Sequence, residues 1–163
     1  PPPPPVRPPN RGNFPSAIPA YHEEVQVRGV AERVRAQLDH VLVIDDGSTD
    51  ATAARAREGG AEVIVHPQNV GKGEAIKTGL RYWLERPEIE FILLLDSDGQ
   101  HLPEEITRFF KAASATEASL YIGTRMNDVR ARPFVRHTVH RYIRHDHTRL
   151  REQTAPRPHR RYR

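Results

Sequence analysis

Cysteine is absent from the 163 residues. That excludes a disulfide framework and a thiolate metal site, and it is compatible with a reducing compartment. Long apolar runs are missing as well. None approaches the roughly 20 residues that cross a bilayer. No secretory signal is expected, because the N-terminus is proline-rich and has no apolar core segment. The mean hydropathy is −0.69, and with 15 prolines part of the chain is expected to lie outside any packed core. The length suffices for one domain with a real core.

Acidic residues are scarce in the last 35 positions. The pI of about 9.8 conceals this split. Residues 129–163 hold 11 Arg and no Lys against Asp146 and Glu152, a balance of +9, which leaves −5 on residues 1–128. Such a tail often serves nucleic acid or anionic lipid. Residues 1–15 include PPPPP and RPPNRGN. That composition cannot build a core and predicts an extended or disordered segment.

The informative stretches are VLVIDDGSTD at 41–50 and FILLLDSDGQH at 91–101. Each is an apolar run that ends abruptly in acids. Short apolar runs read as buried strands of a parallel sheet. Carboxylates just beyond such strands stand at the C-terminal edge, where open α/β sheets bind ligands. Two acidic edges point to a nucleotide and a metal ion, and no nucleic-acid partner is expected. Asp96 and Asp98 are one residue apart, so an extended segment turns both to one side. Two like charges that close call for a cation, and oxygen ligands suit Mg²⁺ or Mn²⁺. Gln100 and His101 could add to or orient the set. The alternative is a solvated turn. The nine His give no convincing helical ligand spacing, and no histidine metal site is expected.

Asp45 and Asp46 followed by Gly47-Ser-Thr-Asp50 read either as a strand end with a capped helix or as carboxylates that meet a base or ribose. Asn69-Val-Gly71-Lys72-Gly73 lacks P-loop spacing; its glycines would shape a turn that brings backbone close to a ligand, with Lys72 near phosphate. Arg125, after a short strand, has the planar fork that suits diphosphate.

Strands are predicted at 16–21, 41–44, 61–65, 91–95 and 119–123. Helices are predicted at 23–38, 51–58, 74–85 and 103–113, the first from Val27, Val30, Val34 and Leu38 at helical spacing. Strand and helix alternate throughout. This predicts an α/β domain with a mostly parallel sheet and helices on both faces.

Five pieces then resemble, in order, the inverting family 2 glycosyltransferases of the Rossmann-like GT-A fold: IPAYHEE at 18–24, VIDDGSTDAT at 43–52, HPQNVGKGEAIKTGL at 66–80, LLLDSDGQHLPEEI at 93–106 and IGTRMND at 122–128. The nearest likeness is to dolichol- and polyprenyl-phosphate mannosyltransferases. The resemblance implies transfer of a hexose, mannose or glucose, from a GDP- or UDP-sugar to a polyprenyl phosphate at a membrane surface. The protein would then be cytoplasmic or peripheral at the cytoplasmic face. By resemblance Pro19, Tyr21 and Glu23 would cradle base and ribose, and Ile44, Asp46 and Ser97 would contact the nucleoside. Asp96, Asp98 and Gln100 would hold the metal on the diphosphate, with Lys72 and Arg125 by the phosphates and Asp98 and Arg125 in catalytic roles.

Two departures stand out. His22 occupies a position where the family usually has Asn, which would alter the turn. Residues 133–143 look like the start of the family's C-terminal continuation, but 144–163 are basic, almost without apolar residues, and expected to be disordered. The chain reads there as truncated or frame-shifted. The organisation expected is a proline-rich segment at 1–15, a nucleotide-sugar domain at 16–143 and a tail. Two alternatives stay open: a family 2 enzyme with a saccharide acceptor, and an inactive fragment whose Arg-rich tail binds anionic partners.

Overall fold

A computed structural model describes residues 10–99, 105–115, 120–123 and 140–144. The apolar runs form the predicted strands: β1 (Ser16–Ala20), β2 (Val41–Asp45), β3 (Glu62–Val65), β4 (Phe91–Leu94) and β5 (Leu120–Gly123). Between them lie α1 (Val27–Arg35), α2 (Thr52–Glu58), α3 (Lys72–Leu84) and α4 (Ile106–Ala115), and a last strand, β6 (His140–Arg144), follows. The sheet order is β3-β2-β1-β4-β6-β5. β1 pairs in parallel with both β2 and β4, and β2 with β3. The mostly parallel α/β sheet read from the sequence is therefore present.

Alternation along the strands divides the core in two. Ile18, Val43 and Leu93 face one side, where they join Val27, Val30 and Val34 of α1, Ala56 of α2 and Ile106 and Phe109 of α4. Ala17, Leu42, Ile44, Ile92 and Leu94 face the other, against Ala75 and Trp83 of α3. Helices thus cover both faces. α3 lies very close to the sheet, because a Cβ on Gly79 would stand 2.9 Å from the Ala17 Cβ and 2.8 Å from Ile44 Cδ1. The Trp83 indole N–H donates to the Ser16 carbonyl at 3.1 Å and pins the far end of the helix.

Three expectations need correction. Part of the proline-rich segment joins the core: residues 13–15 are buried, and Phe14 fully so, with its ring 4.5 Å from Phe110 and 5.7 Å from Phe91. One aromatic anchor outweighs the polar composition around it. Helix α1 is shorter than the 23–38 predicted, since Glu23 to Gln26 form a lead-in turn closed onto the Glu23 carbonyl. Third, β6 is a strand not predicted, and it enters the sheet antiparallel between β4 and β5. Residues 1–9, and the tail from 145, lie outside the described residues.

Candidate functional site

Strand order reverses at β1: the chain moves outward to β2 and β3, then returns to place β4 on the other flank. In open α/β sheets the crevice beyond the strand ends at such a switch point is the ligand site. A cavity of about 310 Å³ lies there. Pro19 and Ala20 at the end of β1 line it with Tyr21 and Glu23 just beyond, Asp46 after β2, Asp96, Ser97 and Asp98 after β4, and Asn69, Gly71, Lys72 and Ala75 from the approach to α3 and its first turn.

Of the site residues expected from sequence, eight meet in this cavity: Pro19, Tyr21, Glu23, Asp46, Lys72, Asp96, Ser97 and Asp98. Ile44 does not. It is fully buried in the core beneath α3. Gln100, His101 and Arg125 lie outside the described residues.

Asp46 plays a part that its motif does not reveal. Its Oδ1 accepts from the Val70 N–H at 3.1 Å and pairs with His66 Nδ1 at 2.7 Å, and its Oδ2 accepts from the Gly71 N–H at 2.7 Å. Burial works against its charge, but these donors outweigh burial and hold the carboxyl below the ordinary aspartate range. The ionised carboxylate only accepts, so His66 Nδ1 carries the proton. The other ring nitrogen meets Thr78 Oγ1 of α3 at 2.9 Å. Next to it Gly47, at φ 74°, backs onto the same loop, and a Cβ there would lie 2.4 Å from the Gln68 carbonyl carbon. The tip of β2 therefore clamps residues 68–71, which form one wall of the cavity. His66, Thr78 and Gly47 were not singled out from sequence. The available signal was a histidine directly after β3, level with the acidic tip of β2.

The opposite wall is built by the turn after β1. His22 has φ 54°, the left-handed region that Asn tolerates better than most residues. His22 is held in place because its N–H donates to Ser48 Oγ at 3.0 Å, and its Nε2 accepts from the Thr49 N–H at 3.3 Å. Its ring stacks on Tyr21, 4.1 Å between centroids. Tyr21 is 44% exposed and lines the cavity. The Glu23 N–H donates to Thr52 Oγ1, whose hydroxyl donates to Asp50. Burial and then the charges of Asp98 and Asp50 push the Glu23 carboxyl above its ordinary value.

Four carboxylates, from Glu23, Asp46, Asp96 and Asp98, line the cavity against the single ammonium of Lys72. Lys72 forms an ion pair with Asp96 Oδ1. A positive group thus already sits on one member of the D-x-D pair. Among the described residues no three His, Asp or Glu side chains form a metal cage. Mg²⁺ commonly uses one or two carboxylates and completes its shell with water and substrate phosphate. The oxygen donors of Asp96 and Asp98 fit such an ion.

Residues 17–161 match the profile of glycosyl transferase family 2. The chain belongs to that family. Over 116 residues it is 34% identical to the polyprenol monophosphomannose synthase of Mycolicibacterium smegmatis, covering 66% of this chain and 43% of that protein. Over 115 residues it is 34% identical to the undecaprenyl-phosphate mannosyltransferase of Micrococcus luteus, covering 66% of this chain and 46% of the relative. The chain spans less than half the length of these family 2 relatives. Among solved structures it is similar to glucosyl-3-phosphoglycerate synthase from Mycobacterium tuberculosis in complex with Mn²⁺, UDP-glucose and phosphoglyceric acid. The TM-score is 0.54 at 26% identity, over 64% of this chain and 40% of that one. The family 2 match therefore spans the residues that line the described cavity, Asp96 and Asp98 among them.

Proposed function

We propose that residues 16–143 are the donor-binding part of an inverting, metal-dependent glycosyltransferase that moves a hexose from a nucleotide sugar to a polyprenyl phosphate. The observation that carries this reading is the charge of the cavity. Four carboxylates against one ammonium repel a nucleoside diphosphate unless a cation enters with it. Relatives named for polyprenol and undecaprenyl phosphate support the acceptor class, and a neighbour crystallised with Mn²⁺ and UDP-glucose supports the donor and the metal.

In this reading Tyr21 and Pro19 receive the base, Glu23 and Ser97 the ribose, and Asp96 and Asp98, with Gln100, hold Mg²⁺ or Mn²⁺. The first turn of α3, whose N-cap position Gly71 supplies no side-chain cap, offers N–H groups to the diphosphate, with Lys72 and Arg125 beside them. Asp46 acts through the loop wall rather than on the nucleoside. When bound, the ion neutralises charge that develops on the departing nucleoside diphosphate. A lipid phosphate is already an anionic nucleophile, so positioning and electrostatics carry the rate without a strong general base. No helix among the described residues is long and apolar enough to cross a membrane, and the enzyme would meet its lipid at the cytoplasmic face. A non-lipid acceptor is the second reading, favoured by the phosphoglyceric acid in the neighbour's complex.

Calorimetric titration with UDP and with GDP, each with and without Mn²⁺, tests the donor site. One nucleotide binds in a metal-dependent way, and Asp98→Ala abolishes that binding. Failure of both nucleotides to bind folded protein sinks the reading.

A further inference from the structure

We propose that Lys72 is an exchangeable counter-ion, which holds Asp96 while the site is empty and moves to the donor's diphosphate when a divalent cation takes Asp96. This rests on the donor-site reading above. It adds a coupling between metal and nucleotide that runs through one side chain.

The geometry is asymmetric in the way an exchange requires. The two partners of the ion pair differ sharply in freedom: the Lys72 side chain is 60% exposed and that of Asp96 is 17% exposed. Asp96 follows directly on the buried β4 run, so the acid is fixed and the base can swing. Lys72 is the first residue of α3 and sits between Gly71 and Gly73. Gly71 has φ 97°, and a Cβ on either glycine would meet nothing within 4 Å. Neither flanking residue has a side chain to confine the lysine, which is itself 60% exposed. Lys72, Gly71 and Ala75 line the cavity from the same helical turn, so an ammonium released from Asp96 stays where the diphosphate would meet that turn.

Energetics favour the exchange. A pair whose lysine is largely exposed contributes modestly, whereas a divalent ion between Asp96 and Asp98 meets two acids at once. The lysine stabilises the acidic cavity in the resting state, yields to the stronger cation, and then supplies positive charge to the incoming anion. The same residue must therefore oppose metal binding alone and favour nucleotide binding once metal is present. A residue that merely ties α3 to the end of β4 would move both affinities in the same direction.

The test is Mn²⁺ titration of wild type, Lys72→Met and Asp96→Asn without nucleotide, read from the electron paramagnetic resonance of free Mn²⁺. Calorimetry with UDP and GDP at saturating Mn²⁺ follows. Lys72→Met binds Mn²⁺ roughly two- to fivefold more tightly than wild type, the range set by an exposed ion pair. Its nucleotide affinity falls roughly tenfold, as for a lost hydrogen bond to a charged group. Asp96→Asn weakens Mn²⁺ binding. Equal Mn²⁺ affinity in wild type and Lys72→Met, or a loss of both affinities in the variant, overturns the exchange and leaves the donor site standing. No Mn²⁺ binding by any folded variant, with or without nucleotide, overturns both.

Discussion

Replacing Asp46 by Asn keeps the shape of the side chain and removes only its charge and one acceptor. The cost follows from the three donors it serves. With the amide oxygen at the Oδ1 position, the bonds from His66 and Val70 survive, but the NH₂ faces the Gly71 N–H now held at 2.7 Å. With the amide turned over, Gly71 is satisfied and His66 can switch tautomer, yet the NH₂ faces the Val70 N–H. Either orientation leaves one buried donor opposite another. An unsatisfied buried donor costs about 1–3 kcal/mol, and losing the charge weakens the remaining bonds, so a total of about 2–3 kcal/mol is expected. Urea unfolding gives the value directly, and amide exchange at Val70 and Gly71 locates it. The pH profile supplies a second signature. The Asp46 pKa is lowered in the folded state, so its contribution is complete above the unfolded aspartate pKa and is lost as pH falls through the folded value. Wild type therefore loses this increment in acid, and the Asn variant has none to lose. Equal stability at neutral pH with unchanged exchange at 70 and 71 would refute the clamp.

Two further perturbations probe other parts of the structure. Gly79→Ala places a methyl between α3 and the sheet, where Ile44 can give way and the Ala17 Cβ cannot; a loss of about 1–2 kcal/mol is expected on denaturant unfolding despite the better helix propensity. Glu23→Gln tests the acidic crowding at the cavity mouth. The folded state raises the Glu23 pKa, so its charge opposes folding at neutral pH and the opposition disappears as pH falls below the folded value. The Gln variant should melt higher than wild type at pH 7, and the two should converge in acid.

Much of this was legible in the sequence because apolar runs and their acidic ends are local signals. Val41–Asp45 and Phe91–Leu94 declare both their burial and the edge at which the site lies. The remaining features depend on contacts made at a distance. Asp46 meets partners 20 to 25 residues later, so nothing in its motif separates a nucleoside ligand from a clamp. Ile44 resembles a site residue by position alone, while the pleat turns it into the core. Phe14 sits in a polar, proline-rich context that hides its partners Phe91 and Phe110. β6 gives no usable periodicity, because His140–Arg144 contains only Tyr142 and Ile143 as apolar residues, and its neighbours are arginine and histidine.

The place of β6 also dictates a schedule for synthesis. β4 acquires β1 on one edge as soon as it emerges, but its other edge pairs with residues 142–144. Translation must cover 95–139 before that edge can close, a delay of roughly 2–9 s at ordinary elongation rates. Until then an apolar Phe-Ile-Leu-Leu strand presents unpaired N–H and C=O groups, the template on which nascent chains join edge to edge. Slower elongation over that interval would lengthen the exposure and should lower the soluble yield.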